Sequence, residues 1–432
     1  MKESAYNLCA RDAAGSCYLF NTRRGTAYAM SARVYETYRA AMAGRPEGEE
    51  ADRTRRELVD GGFLVDDDLD ELAAIEAAHQ RARESTEALD LVLAPSMACN
   101  LDCFYCFEAN RYAGLMSRDT QDHVARLVRR YFDAGAKRLN VTWYGGEPLL
   151  ARSVIEELSK RLILLCKRLH REYAAEIVTN ATLLTRETAE WLAAWQVKRA
   201  QITLDGIPAQ HDKRRVPKNR SPTFHRILEG IAAAASRMQV TIRINVCRDT
   251  APHLEELLRI LAARGMDLQA SVYIAPLQIA GKGKAPADGT SDVSSTQTSK
   301  THDRTLEVLD TREFAELENR FYELLLKHGF SVSDRLPEPR CTTCVADKKH
   351  GWVIEANGDM QKCYWTAGVA TEAVGHLTKD GIMPSTAYRK WDEWTDSRNP
   401  DCLRCRMLPI CLGRCPLKHI NGDFDCCPSF RH

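Results

Sequence analysis

Strand-like and helix-like segments alternate six times in the middle of this 432-residue chain. The segments between the strand-like runs have helical periodicity, and in the first of them Ser117 can cap the helix while Gly135 can end it. Six consecutive strand–helix units predict an α/β fold in which a parallel sheet carries helices on its outside. The six strand-like runs lie near residues 89–95, 139–144, 174–179, 200–204, 241–246 and 269–275.

The regions on either side of this repeat have other patterns. Residues 1–65 hold three short strand-like runs followed by two helical segments, which predicts a winged-helix-like module. The charged residues 66–88 predict a linker helix, and the repeat itself occupies 89–335. Residues 336–432 are rich in cysteine and poor in core-forming periodicity, so we expect metal to stabilise them. Within the repeat, residues 279–304 are rich in Gly, Ser, Thr, Lys and Asp and predict a mobile loop.

Charge and cysteine content narrow the class of protein. Sixty basic and 59 acidic residues give a formal charge of +1, which indicates neither a nucleic acid nor an anionic membrane as partner. The N-terminus lacks the apolar core of a signal peptide and no stretch approaches the roughly 20 apolar residues of a membrane span, so a cytoplasmic location is predicted. In that compartment, 16 cysteines are metal ligands or reactive thiols rather than disulfides.

Three of these cysteines follow directly after the first strand-like run. Cys99, Cys103 and Cys106 form a C-x₃-C-x₂-C pattern. Three thiolates on one loop can bind three irons of a [4Fe–4S] cluster and leave the fourth iron open to a cofactor. A zinc site is the alternative, although zinc usually requires a fourth ligand.

The second strand-like run ends in Gly145-Gly146-Glu147-Pro148. Two glycines allow the backbone to approach a ligand closely, and the Glu147 carboxylate can accept hydrogen bonds from an ammonium group. Taken alone, the motif could also be a simple turn before a helix. Its place one strand–helix unit after the cysteine loop favours a binding role.

With these two motifs in this order, the chain resembles the radical S-adenosylmethionine (SAM) superfamily. The resemblance implies a partial (β/α)₆ barrel, a SAM-binding [4Fe–4S] cluster on Cys99, Cys103 and Cys106, and contacts from residues 145–148 to the methionine amino group of SAM. It further implies reductive cleavage of SAM to methionine and a 5′-deoxyadenosyl radical that abstracts hydrogen from a substrate. An electron donor such as flavodoxin or ferredoxin is then required.

Four further polar residues match positions that contact SAM in similar enzymes. They are Asn180, Thr203 and Asn245, each at or near the end of a later strand-like run, and Arg215, which follows the fourth run. Each could equally be a capping or structural polar group. No residue is assigned as general base.

The C-terminal cysteines resemble the SPASM extension of peptide-modifying radical SAM enzymes, which holds two auxiliary [4Fe–4S] clusters. The resemblance assigns one cluster to Cys341, Cys344, Cys363 and Cys415. It assigns the other to Cys402, Cys405, Cys411 and either Cys426 or Cys427. A zinc ribbon is the alternative for these cysteines, because C-x₂-C pairs are common zinc ligands.

The substrate that the resemblance implies is a ribosomally synthesised precursor peptide. Residues 1–65 resemble the peptide-recognition element with which such maturases bind a leader sequence, commonly by adding it as a strand to a sheet edge. The reaction would be oxidative and would form a thioether or a carbon–carbon crosslink. One alternative is formylglycine formation by a sulfatase maturase, but those enzymes carry an Asp where this chain has Tyr364. Another is a noncatalytic zinc-binding interaction protein.

Overall fold

The computed structural model describes residues 1–42, 48–108, 112–278, 308–332, 337–394, 400–422, 427 and 429. The chain divides into two compact units. The first comprises Met1–Ser85, Ser333–Gly351 and Lys390–Arg431, and the second is built from Thr86–Val332 and Trp352–Arg389. The loop predicted at 279–304 lies outside the described residues, and the four functional domains stay a prediction.

The N-terminal part of the first unit is a small antiparallel sheet with two helices. Its core contains Leu19, Met30, Leu58 and Phe63 together with the buried thiol of Cys17. Strands β2, β3 and β4 pair antiparallel in that order, and β1 pairs with β5. The elements are β1 (Lys2–Glu3), β2 (Asn7–Arg11), β3 (Cys17–Asn21), β4 (Thr26–Met30), α1 (Ala32–Met42), α2 (Glu49–Asp60), β5 (Leu64–Val65) and α3 (Glu71–Glu84).

The second unit contains the six predicted strand–helix repeats. Strands β6 to β11 pair in parallel in sequence order, which confirms the predicted α/β fold. Their elements are β6 (Ala88–Leu93), α4 (Arg118–Asp133), β7 (Arg138–Trp143), α5 (Arg152–Arg168), β8 (Glu172–Thr179), α6 (Arg186–Ala194), β9 (Val197–Leu204), α7 (Pro208–Arg214), α8 (Phe224–Ala235), β10 (Gln239–Val246), α9 (Leu254–Ala262), β11 (Ala270–Pro276) and α10 (Thr311–Lys327).

Helix α4 shows how the sequence determines these elements. The Ser117 side chain accepts a hydrogen bond from the Thr120 amide at 3.1 Å, and Gly135 follows the helix with φ +105°. Both ends are where the cap residues predicted them. Between these ends, one face of the helix is buried through Val124, Leu127 and Phe132.

Alternation along the strands separates an apolar face from a polar one. On β9, Ala200, Ile202 and Leu204 are buried, whereas Gln201 and Thr203 point to the other face and are half-buried. Strands β7, β8 and β10 alternate in the same way. The sheet therefore has one face for helix packing and one polar face, which we call the inner face.

Four antiparallel strands extend this sheet beyond β6. The Ala94 amide donates to the Ile354 carbonyl at 2.9 Å, next to the join between β6 and β12. The strands are β12 (Gly351–Ile354), β13 (Asp359–Gln361), β14 (Gly375–Thr378) and β15 (Gly381–Pro384). Cys363 lies just after β13 and is buried in this second unit.

The C-terminal part of the first unit consists of short helices. Leu408 and Leu412 pack with Tyr6 and Ile75 in a small cluster. The helices are α11 (Arg389–Asp392), α12 (Pro400–Leu403), α13 (Leu408–Cys411) and α14 (Pro416–Ile420). Within the described parts of both units, no helix combines the length and the apolar character needed to cross a bilayer.

Candidate active site

The cysteine loop lies at the carboxyl end of β6. Backbone hydrogen bonds fix its course: the Asp102 amide donates to the Val216 carbonyl at 2.7 Å, and the Cys106 amide donates to the Cys103 carbonyl at 3.0 Å. Burial raises the pKa of the Cys103 thiol to about 11, and the nearby Cys99 and Cys106 raise it further. The three thiols thus lie on one loop at the edge where ligands of parallel sheets bind, with Cys99 and Cys106 near enough to act on Cys103.

Gly145 and Gly146 lie directly against this loop. A β-carbon on Gly145 would be 2.3 Å from the Ser96 carbonyl oxygen, and one on Gly146 would be 2.4 Å from that of Ala98. Gly145 also has φ +107°, a conformation that L side chains rarely adopt. Glycine at both positions is therefore required for the close approach of β7's end to the cysteine loop.

Glu147 is fully buried beside these glycines. Its carboxylate accepts hydrogen bonds from the Thr179 hydroxyl at 2.7 Å, the Asn180 amide at 2.7 Å and the Leu149 amide at 3.0 Å. Burial raises its pKa, and these three donors oppose the rise. A carboxylate has about four acceptor positions, so roughly one is left for a ligand. Pro148 follows as the first residue of a 3₁₀ turn.

Asn180 connects the end of β8 to the cysteine loop. Its side-chain amide donates to the Asn100 side chain at 2.8 Å and approaches the Cys99 sulfur at 3.8 Å. Its oxygen accepts from the Thr182 amide and hydroxyl at 2.9 and 2.6 Å. Through these contacts Asn180 orients the cysteine loop.

Arg215 and Asn245 belong to a buried network around Asp205. The Asp205 carboxylate is hydrogen-bonded by the Tyr105 hydroxyl and, at 3.0 Å, by the Asn245 amide. Arg215 donates to the Tyr105 hydroxyl at 2.9 Å and is 3.7 Å from Asp205. Although burial disfavours its charge, Tyr105, Cys103 and Asp205 hold the pKa of Arg215 well above its ordinary range. The guanidinium is thus a fixed positive charge beneath the cysteine loop.

His211 supports this network from α7. The Asp205 amide donates to its Nδ1 at 3.3 Å, which assigns the proton of the neutral ring to Nε2. Burial, followed by the charges of Arg215 and Arg214, holds its pKa well below the ordinary value. Its role is positional, because it bonds to backbone beneath the network.

Thr203 lies apart from that network. It is on the inner face of β9, half-buried, and in register with Arg243 of β10. Its predicted contact with SAM stays a prediction, as do the other site assignments.

Sequence reasoning gave no role to Tyr105 or Asn100. Both lie within the C-x₃-C-x₂-C segment, and their partners Asp205 and Thr182 lie 100 and 82 residues further along the chain. The only signal in the sequence was the polar character of residues between the cysteines. Aromatic residues nearby also pair: Phe107 stacks on Trp365 at 4.4 Å, and Tyr144 lies 5.4 Å from Tyr364 between ring centroids.

Some of the C-terminal cysteines lie near one another. Burial raises the pKa of the Cys411 thiol to about 11, and Cys402, Cys405 and Cys427 are close enough to raise it further. Cys341, Cys344 and Cys415 belong to the same unit, Cys363 belongs to the other, and Cys426 lies outside the described residues. In the part of the chain that the structure describes, no three Cys, His, Asp or Glu side chains converge at metal-binding distance. Both auxiliary ligand sets stay predictions.

Part of the barrel is similar in sequence to known proteins. Residues 93–261 match the model of the Radical SAM superfamily. Most of the barrel, from the end of β6 through α9, therefore matches a radical SAM domain. An uncharacterized protein of Methanocaldococcus jannaschii is 29% identical over 177 residues, covering 41% of this chain and 59% of that protein. The GTP 3′,8-cyclase of Xanthomonas axonopodis pv. citri is 31% identical over 162 residues, covering 36% of this chain and 45% of the cyclase.

A solved structure extends the likeness of the fold. Native anSMEcpe with bound AdoMet and the Kp18Cys peptide superposes with a TM-score of 0.59 at 16% sequence identity, covering 78% of this chain and 96% of that one. At that identity the likeness concerns the fold alone. It agrees with the predicted partial (β/α)₆ barrel.

The residues of the radical SAM domain fit the cofactors that this family implies, which are SAM and one [4Fe–4S] cluster. Three thiols on one loop supply the iron ligands and leave one iron open. The buried Nε of Arg215 has no partner within the described residues, as expected for a donor facing an anionic ligand. Cys99, Cys103 and Cys106 would hold the cluster, with residues 145–148 beside the amino acid part of SAM.

Proposed function

We propose that this protein is a radical SAM enzyme that modifies a ribosomally synthesised precursor peptide and forms an oxidative thioether or carbon–carbon crosslink. The observation that carries the radical chemistry is the loop of Cys99, Cys103 and Cys106, placed against Gly145 and Gly146 at the carboxyl edge of a radical SAM domain. When bound there, SAM and the cluster supply the radical that abstracts hydrogen from the substrate.

The chain's own residues hold this site in shape. Glu147 at the end of β7 and Asn180 at the end of β8 both form hydrogen bonds to the cysteine loop, and both residues are buried. Arg215, held by Tyr105, supplies a positive charge that would bind the carboxylate of SAM. Because these hydrogen bonds are made between the protein's own groups, they would preorganise the site for SAM.

The choice of a peptide substrate has two supports. The first is the N-terminal sheet, in which β2 and β4 each pair with β3 alone among the described residues. An open edge of this kind can accept an extended leader as an additional strand. The second is the fold likeness to anSMEcpe, which was solved with a bound peptide. Leader binding would raise the local concentration of the core peptide.

The radical chemistry is tested by SAM cleavage. Protein purified without oxygen, reconstituted with iron and sulfide and reduced with dithionite, is expected to release 5′-deoxyadenosine from SAM. Replacing Cys99, Cys103 and Cys106 together by Ala should abolish that release. The matched control is Cys166→Ala, which removes a buried thiol from α5 of the same unit and should leave it unchanged. Release from the triple variant would refute the assignment.

The peptide reaction is tested separately. Each short open reading frame beside the gene is made as a peptide and incubated with the reduced protein and SAM. A crosslink removes two hydrogen atoms and joins two residues in tandem mass spectra. Formylglycine from Ser has the same mass change but reacts with a hydrazide. Hydrazide capture in place of a crosslink would overturn the proposed reaction while keeping the radical chemistry.

A further inference from the structure

The inner face of the barrel carries charged residues, and those on β6 and β8 have protein partners. Asp90 of β6 accepts a hydrogen bond from Asn140 at 2.8 Å. Glu176 of β8 accepts from the Thr142 hydroxyl at 2.9 Å and forms an ion pair with Arg199 at 3.2 Å. Asp90 is thus hydrogen-bonded and Glu176 is charge-paired within the sheet itself, as half-buried carboxylates usually are.

Arg243 of β10 differs from them. Its side chain is half-buried, and its Nε donates to the Asn245 oxygen at 3.0 Å. Within the described residues, no carboxylate lies within ion-pairing distance of its guanidinium, and its two terminal nitrogens donate to no protein group. Four N–H donors in a fixed planar fork thus face the barrel interior.

The surroundings of Arg243 hold this fork in place without neutralising it. Its neighbours in register are Thr203 on β9 and Tyr273 on β11, both uncharged. The side-chain oxygen of Asn245 accepts a hydrogen bond from the Arg243 Nε, and the side-chain amide of Asn245 donates one to Asp205. The guanidinium is therefore linked through the Asn245 side chain to the network beneath the cysteine loop.

We propose that the terminal nitrogens of Arg243 bind a carboxylate of the substrate, either an Asp or Glu side chain or a C-terminal carboxylate. This inference rests on the proposed function, since it names the part of the peptide that enters the barrel. A bidentate pair with a carboxylate satisfies both the charge and the fork geometry of an arginine. Arg243 is then a specificity-determining residue.

The position of Arg243 favours the substrate over SAM as the source of this carboxylate. The Cα atom of Arg243 lies roughly 7 Å further from the carboxyl edge than that of Asn245, and the Arg243 side chain reaches back as far as the Asn245 oxygen. The cysteine loop, Gly145 and Glu147 all lie at that edge. In radical SAM enzymes the amino and carboxylate groups of SAM are expected at the cluster iron, so the SAM carboxylate would already have a ligand of its own.

The test uses phenylglyoxal, which modifies arginine, on the reconstituted full-length protein. The rate of modification at Arg243 is read by peptide mass spectrometry with and without small probes. N-acetyl-aspartate N-methylamide is compared with its asparagine analogue, and N-acetyl-alanine with N-acetyl-alaninamide. Arg199 is the internal control because Glu176 already pairs with it.

We expect one of the two acids to slow modification of Arg243 about fivefold at concentrations where its amide has no effect. The identity of the protecting acid shows whether Arg243 binds a side-chain carboxylate or a C-terminal carboxylate. Equal rates with acid and amide would overturn the proposal, and so would full protection by SAM alone. An Arg243 that phenylglyoxal cannot modify would overturn it as well, because a guanidinium open to substrate is open to the reagent. None of these results depends on deoxyadenosine release. A failure of this proposal can therefore be told apart from a failure of the proposed radical SAM function.

Discussion

Two cysteine-rich regions of this chain are held by different forces. The loop that carries Cys99 is hydrogen-bonded to Val216, Asn180 and Glu147, each from a different part of the barrel. The segment 400–422 consists of helices of four or five residues, with a small cluster around Leu408 as its apolar core.

The difference shows what each region needs in order to fold. Hydrogen bonds to buried strand ends hold the cysteine loop, whereas helices of one turn are not stable alone in water. We infer that the barrel provides a preformed site and that the C-terminal segment gains its order from metal. The predictions below test this contrast, beginning with the largest effect.

Removing metal should separate the two regions. In reconstituted protein treated with a chelator under reducing, oxygen-free conditions, backbone amides in 400–422 should exchange about a hundredfold faster. Amides in 96–106 and in β7 to β10 should keep their protection, because their partners are protein groups. Hydrogen exchange read by mass spectrometry measures both regions in one experiment. Equal loss of protection in the two regions would contradict the contrast.

Gly145→Ala tests whether close packing preforms the cysteine loop. The added β-carbon would lie 2.3 Å from the Ser96 carbonyl oxygen in a backbone already at φ +107°. Strain and overpacking together should lower the free energy of unfolding by roughly 3 kcal/mol. Gly135→Ala is the matched control, since Gly135 has φ +105° and no heavy atom within 4 Å of the added carbon.

The difference between these two variants isolates the contact with the loop. We expect Gly145→Ala to be the less stable by about 1–3 kcal/mol in urea unfolding and to bind less iron at the barrel site. Equal destabilisation would show that the loop moves aside at little cost. The site would then not be preformed.

Much of the fold could be predicted from the sequence, because its determinants are local. The strand-like runs predicted all six parallel strands, and Ser117 and Gly135 mark the ends of α4. Glu147 illustrates the limit. Its motif indicated a contact to an ammonium group, but its partners Thr179 and Asn180 lie 32 and 33 residues away. Hydrogen bonds between strand ends depend on tertiary structure, which no local pattern contains.

For the same reason, the sequence did not predict that Arg243 lacks a carboxylate partner within the described residues. From the sequence, Arg243 and Arg199 are equivalent basic residues in neighbouring strand-like runs. They differ only because the register of β8 and β9 places Glu176 beside Arg199. Charge compensation across a sheet becomes visible only when register and facing are known.

The smallest predicted effect concerns how the network beneath the cysteine loop responds to acid. Buried His211 is neutral in the folded protein because burial, Arg215 and Arg214 hold its pKa well below the ordinary value. Below about pH 6.5 the unfolded chain binds a proton on this residue that the folded chain does not, so stability falls as pH falls. The loss is about 1.4 kcal/mol per pH unit.

His211→Asn should remove this dependence, because the Asn oxygen can accept the Asp205 amide in place of Nδ1 but does not titrate. At pH 7.5 the variant and the natural protein should differ only by the packing change. At pH 5.5, urea unfolding should show that the free energy of unfolding of the variant has risen by about 1 kcal/mol relative to that of the natural protein, compared with pH 7.5. An unchanged difference between the two pH values would mean that His211 takes up a proton in the folded protein, and the network would then tolerate a third positive charge beside Arg214 and Arg215.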